Sequence, residues 1–234
     1  MEQIRQIPYG VSDFRSVRES NLYYVDKTMY IKALEDQART LIFIRPRRFG
    51  KSLFINMMRL YYDKLEAGNF EKLFGDLYIG QHPTPLRNRY QVLYLDFSRV
   101  GGNIDTLEGD FNDYCNAQLS SFMDAYREDY PPSQVAEFFE SKSARTRFSI
   151  LRNMAERKQI PLYLFIDEYD NFTNVVLNER GEEIYHQMTH ASGFYRDIFK
   201  LFKGMFERIF LTGVSPVTLD DLTSGFNIGW NAST

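Results

Sequence analysis

The most constraining feature of the sequence is the run Leu41-Ile42-Phe43-Ile44, followed at once by Arg45-Pro46-Arg47-Arg48-Phe49-Gly50-Lys51-Ser52 and an amphipathic stretch reaching Tyr62. Four apolar residues predict a short buried strand, Pro46 and Gly50 interrupt it, and apolar residues at helical spacing resume after Lys51. A strand that passes through such a turn into a helix N-terminus leaves backbone N–H groups without intrahelical partners at the positive end of the helix dipole. That arrangement binds phosphate. Lys51 is expected to reach the β- and γ-phosphates of a nucleoside triphosphate and the Ser52 hydroxyl to ligate Mg2+. Arg45, Pro46, Arg47, Arg48, Phe49, Gly50 and Leu53 complete the predicted cradle, with Gly50 admitting phosphate where a Cβ would block it. Arg45 stands where G-x-x-x-x-G-K-[ST] has its first glycine, so the strand end needs another turn geometry, which Pro46 helps to set by holding Arg45 extended.

A second apolar run, Leu162 to Ile166, ends in Asp167-Glu168. It reads as a strand of a covered parallel sheet that delivers two carboxylates to its C-terminal edge, where open α/β sheets bind ligands. Asp167 is expected to hold the Mg2+ water shell, and Glu168 to orient and deprotonate the water that attacks the γ-phosphate. A further strand, Arg208 to Thr212, runs into Gly213-Val214-Ser215-Pro216. Thr212, with Ser215 as second candidate, is placed to sense the γ-phosphate; the plainer reading is a hydroxyl that caps the turn. Asp96 ends the strand Gln91 to Phe97, where it either meets the magnesium shell through water or caps the next helix.

Composition excludes several other chemistries. A net charge of −3 argues against a broad polyanion-binding surface. Cys115 is the only cysteine, which leaves no intrachain disulfide and no cysteine-rich zinc site. His186 and His190 would share a helix face, but no glutamate at the zinc-protease position supports a metal there. No apolar run reaches membrane-spanning length and the N-terminus lacks a leader pattern, so a cytoplasmic protein is expected. Along the rest of the chain, residues 1–40 read as an extension packing on the core. It holds helical stretches over 13–20 and 27–36, with Tyr24 or Phe14 as candidates to stack on adenine; covering a sheet edge is the alternative. Residues 65–89 read as a surface connection, 101–157 as helices interrupted at 129–132, and 171–205 as a polar loop followed by an aromatic helix.

Several blocks together, Ile7-Pro8-Tyr9-Gly10, Tyr24-Val25-Asp26-Lys27-Thr28, Arg45 to Ser52, Asp167-Glu168 and Asp220 to Asn227, make the chain resemble the AAA-ATPase-like family of bacterial proteins over nearly its whole length. Within that family arginine in place of the first loop glycine looks habitual. The resemblance implies ATP and Mg2+ as cofactors and a three-layer αβα sandwich with a mostly parallel sheet. It also implies the additional-strand arrangement, in which the strand ending at Thr212 lies between the loop strand and the Asp167 strand. Family members commonly continue into a C-terminal domain similar to PD-(D/E)XK nucleases, which implies an ATPase that powers or switches DNA work through that module or a separate partner. An arginine finger is often supplied by a neighbouring subunit in this superfamily, so a homo-oligomer falls within the expectation; Arg196 and Arg208 are available. No further strand is evident beyond residue 216, and the core, 41–234, is expected to stop before the helical lid and any nuclease domain. Two rival readings are a nucleotide-dependent switch without turnover and a domain that uses the basic loop for the phosphates of a nucleic acid.

Overall fold

The computed structural model describes residues 5–100, 104–171, 174, 176, 177, 194–215 and 229–231. Its strands are β1 (Thr40–Ile44), β2 (Gln91–Asp96), β3 (Leu162–Asp167), β4 (Arg208–Gly213) and β5 (Gly229–Asn231). They form one parallel sheet in the order β2-β3-β4-β1-β5. The strand ending at Thr212 and Gly213 therefore lies between the loop strand and the carboxylate strand, as the family resemblance implies. One expectation fails: a strand does follow residue 216. Residues 229–231 pair with Thr40 to Ile42. Of the three residues only Trp230 favours a strand, Gly229 and Asn231 do not, and so short a run carries no alternation, so the open edge of β1 selects it.

The helices are α1 (Phe14–Glu19), α2 (Tyr30–Glu35), α3 (Lys51–Tyr62), α4 (Phe70–Phe74), α5 (Tyr78–Gln81), α6 (Leu107–Tyr126), α7 (Pro132–Glu140), α8 (Ala144–Lys158) and α9 (Phe194–Met205). They cover both faces of the sheet, which gives the expected αβα layers. Alternation along the strands assigns the faces, because successive side chains point to opposite sides. Leu93, Leu95, Leu162, Leu164, Ile166, Ile209 and Leu211 build an aliphatic face that packs with residues of α6 to α9. Tyr163, Phe165 and Phe210 build an aromatic face that packs with α1 to α5. All six residues of β3 are buried, as expected of a central parallel strand with helices on both sides.

The N-terminal extension fills the second core. Asp13 caps α1 by accepting from the Arg15 N–H at 3.0 Å, and Phe14, fully buried, stacks on Phe74 and meets Tyr24 edge to face. Phe14 and Tyr24 are thus packing residues, and Phe14 has no surface left for a nucleobase. Residues 65–89 also differ from a plain surface connection. A 3-10 turn over Lys64–Asn69, α4 and α5 bury Phe70, Leu73, Phe74, Leu77 and Ile79. The glycines that look like loop punctuation are sites of close backbone approach: a Cβ on Gly80 would sit 1.9 Å from the Phe74 carbonyl oxygen.

Candidate functional site

The carboxyl ends of β1, β4 and β3 lie side by side, so the loop after β1 and the carboxylates after β3 share one edge of the sheet. The Arg45 N–H donates to the Gly213 carbonyl at 3.2 Å and extends the β1 pairing one residue past Ile44. Arg45 therefore completes the strand, and the turn begins after it, which accounts for a non-glycine at that position. The exposed turn then takes a left-handed residue at Arg48 (φ 67°) and a second at Gly50 (φ 76°) before α3 starts at Lys51. A Cβ on Gly50 would meet no protein atom within 4 Å, so its dihedral, rather than crowding within the fold, is what favours glycine there.

Lys51 is 5% exposed, and its ammonium donates to the carbonyls of Arg45 at 3.0 Å and Pro46 at 3.1 Å. These two bonds tie the first helical residue back across the turn and use two of the three ammonium donors. Ser52 follows on the first turn of the helix, half-buried, with no hydrogen-bond partner for its hydroxyl among the described residues. Arg47 and Arg48 are exposed, and the Arg45 guanidinium lies 5.2 Å from the centre of the Phe43 ring.

On β3, Asp167 is 3% exposed, and its Oδ1 accepts from the Glu168 N–H at 3.1 Å and from the hydroxyl of the fully buried Thr212 on β4. Its Oδ2 takes no hydrogen bond from a described residue. Glu168 adopts φ 51°, a left-handed conformation that is uncommon for a side chain of this kind and turns the chain sharply at the strand end. Burial pushes its carboxyl above the ordinary range, the negative charges of Asp167 and Asp96 push further, and Lys51 and Arg47 pull back. The loop cations and the carboxylates therefore occupy one electrostatic field. Asp96 is a cap: its Oδ1 accepts from the Ser98 N–H at 3.1 Å and hydroxyl at 2.6 Å, and its Oδ2 from Arg99 Nε at 3.0 Å.

Three further residues fix this edge. Asp170, 1% exposed, accepts at Oδ2 from the N–H groups of Val214 at 3.0 Å and Ser215 at 2.6 Å, which holds the turn after β4 against the turn after β3. The Tyr169 N–H donates to the Thr212 carbonyl at 3.0 Å, and its hydroxyl to the Ser215 carbonyl. Gly213 lies beneath the Tyr169 ring, where a Cβ would come within 2.3 Å of Cε1. Ser215 is thus engaged through its backbone. These roles depend on a partner segment 44 residues away, so the run Asp167-Glu168-Tyr169-Asp170 shows only its charges. Arg208 opens β4 at the opposite end of the strand from Thr212 and donates to the Glu35 carbonyl at 3.0 Å, so it faces away from this edge. Arg196 lies on α9. His186, His190 and the block Asp220 to Asn227 fall outside the described residues.

The oxygen set fits Mg2+. Among the described residues, Ser52 Oγ and Asp167 Oδ2 are hard oxygen donors with no hydrogen-bond partner, and no cluster of three or more His, Cys, Asp or Glu exists. Mg2+ is commonly held in this way, by one or two protein oxygens with water and phosphate in the remaining positions.

A strand, a cationic turn closing on Gly-Lys-Ser, a helix, and a buried Asp followed by a partly buried Glu two strands away define a P-loop NTPase-like α/β sandwich. The chain belongs to the AAA-ATPase-like family, described as predicted AAA-ATPases, whose model matches residues 8–223. Membership gives it a general ATPase-like, nucleotide-binding role. The chain is 29% identical, over 235 residues, to a protein described as "Uncharacterized protein in vnfD 5'region" from Azotobacter chroococcum mcd 1; the match takes in 95% of this chain and 40% of that protein. It thus spans well under half of the relative's length. No solved structure matches. Among the described residues, no helix is long and apolar enough to cross a membrane.

Proposed function

We propose that the chain binds ATP with Mg2+ at the carboxyl edge of the sheet and hydrolyses it, slowly or only after assembly with further subunits. The observation that carries this reading is the placement of the loop after β1, with Arg47 and Lys51, and of Asp167 and Glu168 after β3 on one edge of the parallel sheet. The N–H groups at the start of α3 and the third donor of Lys51 hold the β- and γ-phosphates. Ser52 Oγ and Asp167 Oδ2 hold Mg2+, which when bound supplies positive charge to phosphate oxygens and orients them. Glu168 accepts the proton of the attacking water. A carboxylate whose pKa lies above its usual range is the stronger base for that transfer. Thr212 spends its hydroxyl on Asp167, so its link to the γ-phosphate runs through the orientation of that carboxylate. Coupling to a further, nucleic-acid-acting module rests on the family resemblance alone, and a cytoplasmic setting suits the nucleotide.

Calorimetric titration of ATP with and without Mg2+ tests the site. Binding is expected to strengthen with Mg2+ and to vanish in Lys51→Ala. Glu168→Gln should retain binding while turnover falls by about 10²-fold or more. Retained ATP affinity in Lys51→Ala would overturn the proposal, and unchanged turnover in Glu168→Gln would remove that residue as the base.

A further inference from the structure

The left-handed backbone of Glu168 (φ 51°) is held by its neighbours on either side, which are tied to the end of β4. Before it, Asp167 accepts from the Thr212 hydroxyl; after it, the Tyr169 N–H donates to the Thr212 carbonyl at 3.0 Å. One residue further, Asp170 Oδ2 accepts from the N–H groups of Val214 at 3.0 Å and Ser215 at 2.6 Å, and from the Asn174 amide at 3.1 Å. The Asn171 N–H closes the turn on the Glu168 carbonyl at 3.0 Å. An uncommon backbone conformation persists where its surroundings over-determine it, and these bonds do so.

Asp170 lies beyond the strand pairing. It is 1% exposed, and burying a carboxylate is costly unless its lone pairs are filled, so a side chain that only occupied the space between two turns would be cheaper uncharged. Gly213 shows how closely the turns meet: an added Cβ would come within 2.3 Å of Tyr169 Cε1 and 2.8 Å of Asp170 Oδ1. Val214 and Ser215 follow β4, and Asn174 follows the Glu168 turn, so this clasp acts on the carboxylate edge rather than on the loop cations. We propose that Asp170 is a positioning residue for hydrolysis: through the two turns it joins, it sets the Glu168 backbone so that the carboxylate meets the attacking water, and it takes no part in holding the nucleotide. The inference rests on the reading of Glu168 as the base and names the residue that fixes it in place.

The test measures kcat, KM and Mg-ATP affinity for the unaltered protein, Asp170→Asn and Gly213→Ala, and repeats both substitutions in the Glu168→Gln background. Asp170→Asn keeps the side-chain shape but replaces one acceptor by a donor, so Val214, Ser215 and Asn174 can no longer all be satisfied. Gly213→Ala disturbs the same clasp from β4 and leaves the carboxylate intact. Each should lower kcat by about 10- to 100-fold while Mg-ATP affinity stays within about twofold. In the Glu168→Gln background neither should lower the residual rate further, because a residue that acts through the base has nothing left to position. Hydrogen exchange without nucleotide should show lost protection at the Tyr169 amide and retained protection in β1 and β2. Lost protection throughout the sheet, an equal fall in turnover in the Glu168→Gln background, or an affinity loss matching the kcat loss would make Asp170 a residue of the fold and overturn the inference. If Glu168→Gln lowers turnover and both clasp variants do not, the positioning role is lost and the base stands. If Glu168→Gln leaves turnover unchanged, or the unaltered protein does not turn over ATP, the base reading falls and takes this inference with it.

Discussion

Glu168 combines a left-handed backbone with a carboxyl held above its ordinary range by burial and by Asp167 and Asp96. The first disfavours the folded backbone and the second the ionised side chain, and both fall on the residue proposed as the base. The sign of the pH dependence follows. A carboxyl whose pKa is raised on folding favours the folded state most below its ordinary value, 4.5, and loses that contribution as pH rises through its folded value. Glu168→Gln is neutral throughout. Its melting temperature should exceed that of the unaltered protein by about 1–2 °C at pH 7, a small gain because the side chain is only partly buried. The gain should disappear below about pH 4, where the native side chain is itself protonated. Thermal melts at the two pH values, without nucleotide, measure this; an equal gain at both would mean that the variant relieves strain rather than charge.

At the scale of elements, β3 positions the carboxylate edge because it is anchored on both faces. Leu164 and Ile166 enter the aliphatic core, while Tyr163 and Phe165 enter the aromatic one. Phe165 stacks on Tyr163 with ring centres 4.2 Å apart and meets Phe210 of the neighbouring strand at 6.1 Å. Removing that ring leaves a cavity in the centre of the sheet, so Phe165→Ala should destabilise by about 3–5 kcal/mol in urea unfolding. A cost under about 1 kcal/mol would show that α3 closes onto the sheet and that the aromatic face is less rigid than its packing implies. The turns after β3 and β4 are held by a different device. Asp170 binds the backbone of Val214 and Ser215, and Thr212 binds Asp167, so the two strand ends move as a unit.

Across the whole molecule, β5 changes the status of the loop strand. With residues 229–231 paired to it, β1 has neighbours on both sides; without them it becomes a sheet edge. Deleting residues 229 onward should raise hydrogen-exchange rates at the β1 amides that face β5 and promote self-association, both measurable without nucleotide. Unchanged protection would show that β4 and α3 alone secure the strand. The elements that carry long apolar periodicity were legible in the sequence: β1, β2, β3, β4, the helices of 107–158, and the loop with its lysine and serine. Burial of such patterns is local in origin, since each run must be covered whatever its partner. The helices of 64–81 were not legible, because Gly75 and Gly80 resemble turn signals until the backbone that crowds them is in place. The same holds for Asp170, whose partners Val214 and Ser215 lie 44 and 45 residues away. The sequence by itself determined β1 to β4 and the charges carried at their ends, whereas β5 needed the open edge of β1. Only the tertiary structure decided which ends meet, which hydroxyl orients Asp167 and which turn Asp170 holds, because those depend on distances between segments that no local pattern encodes.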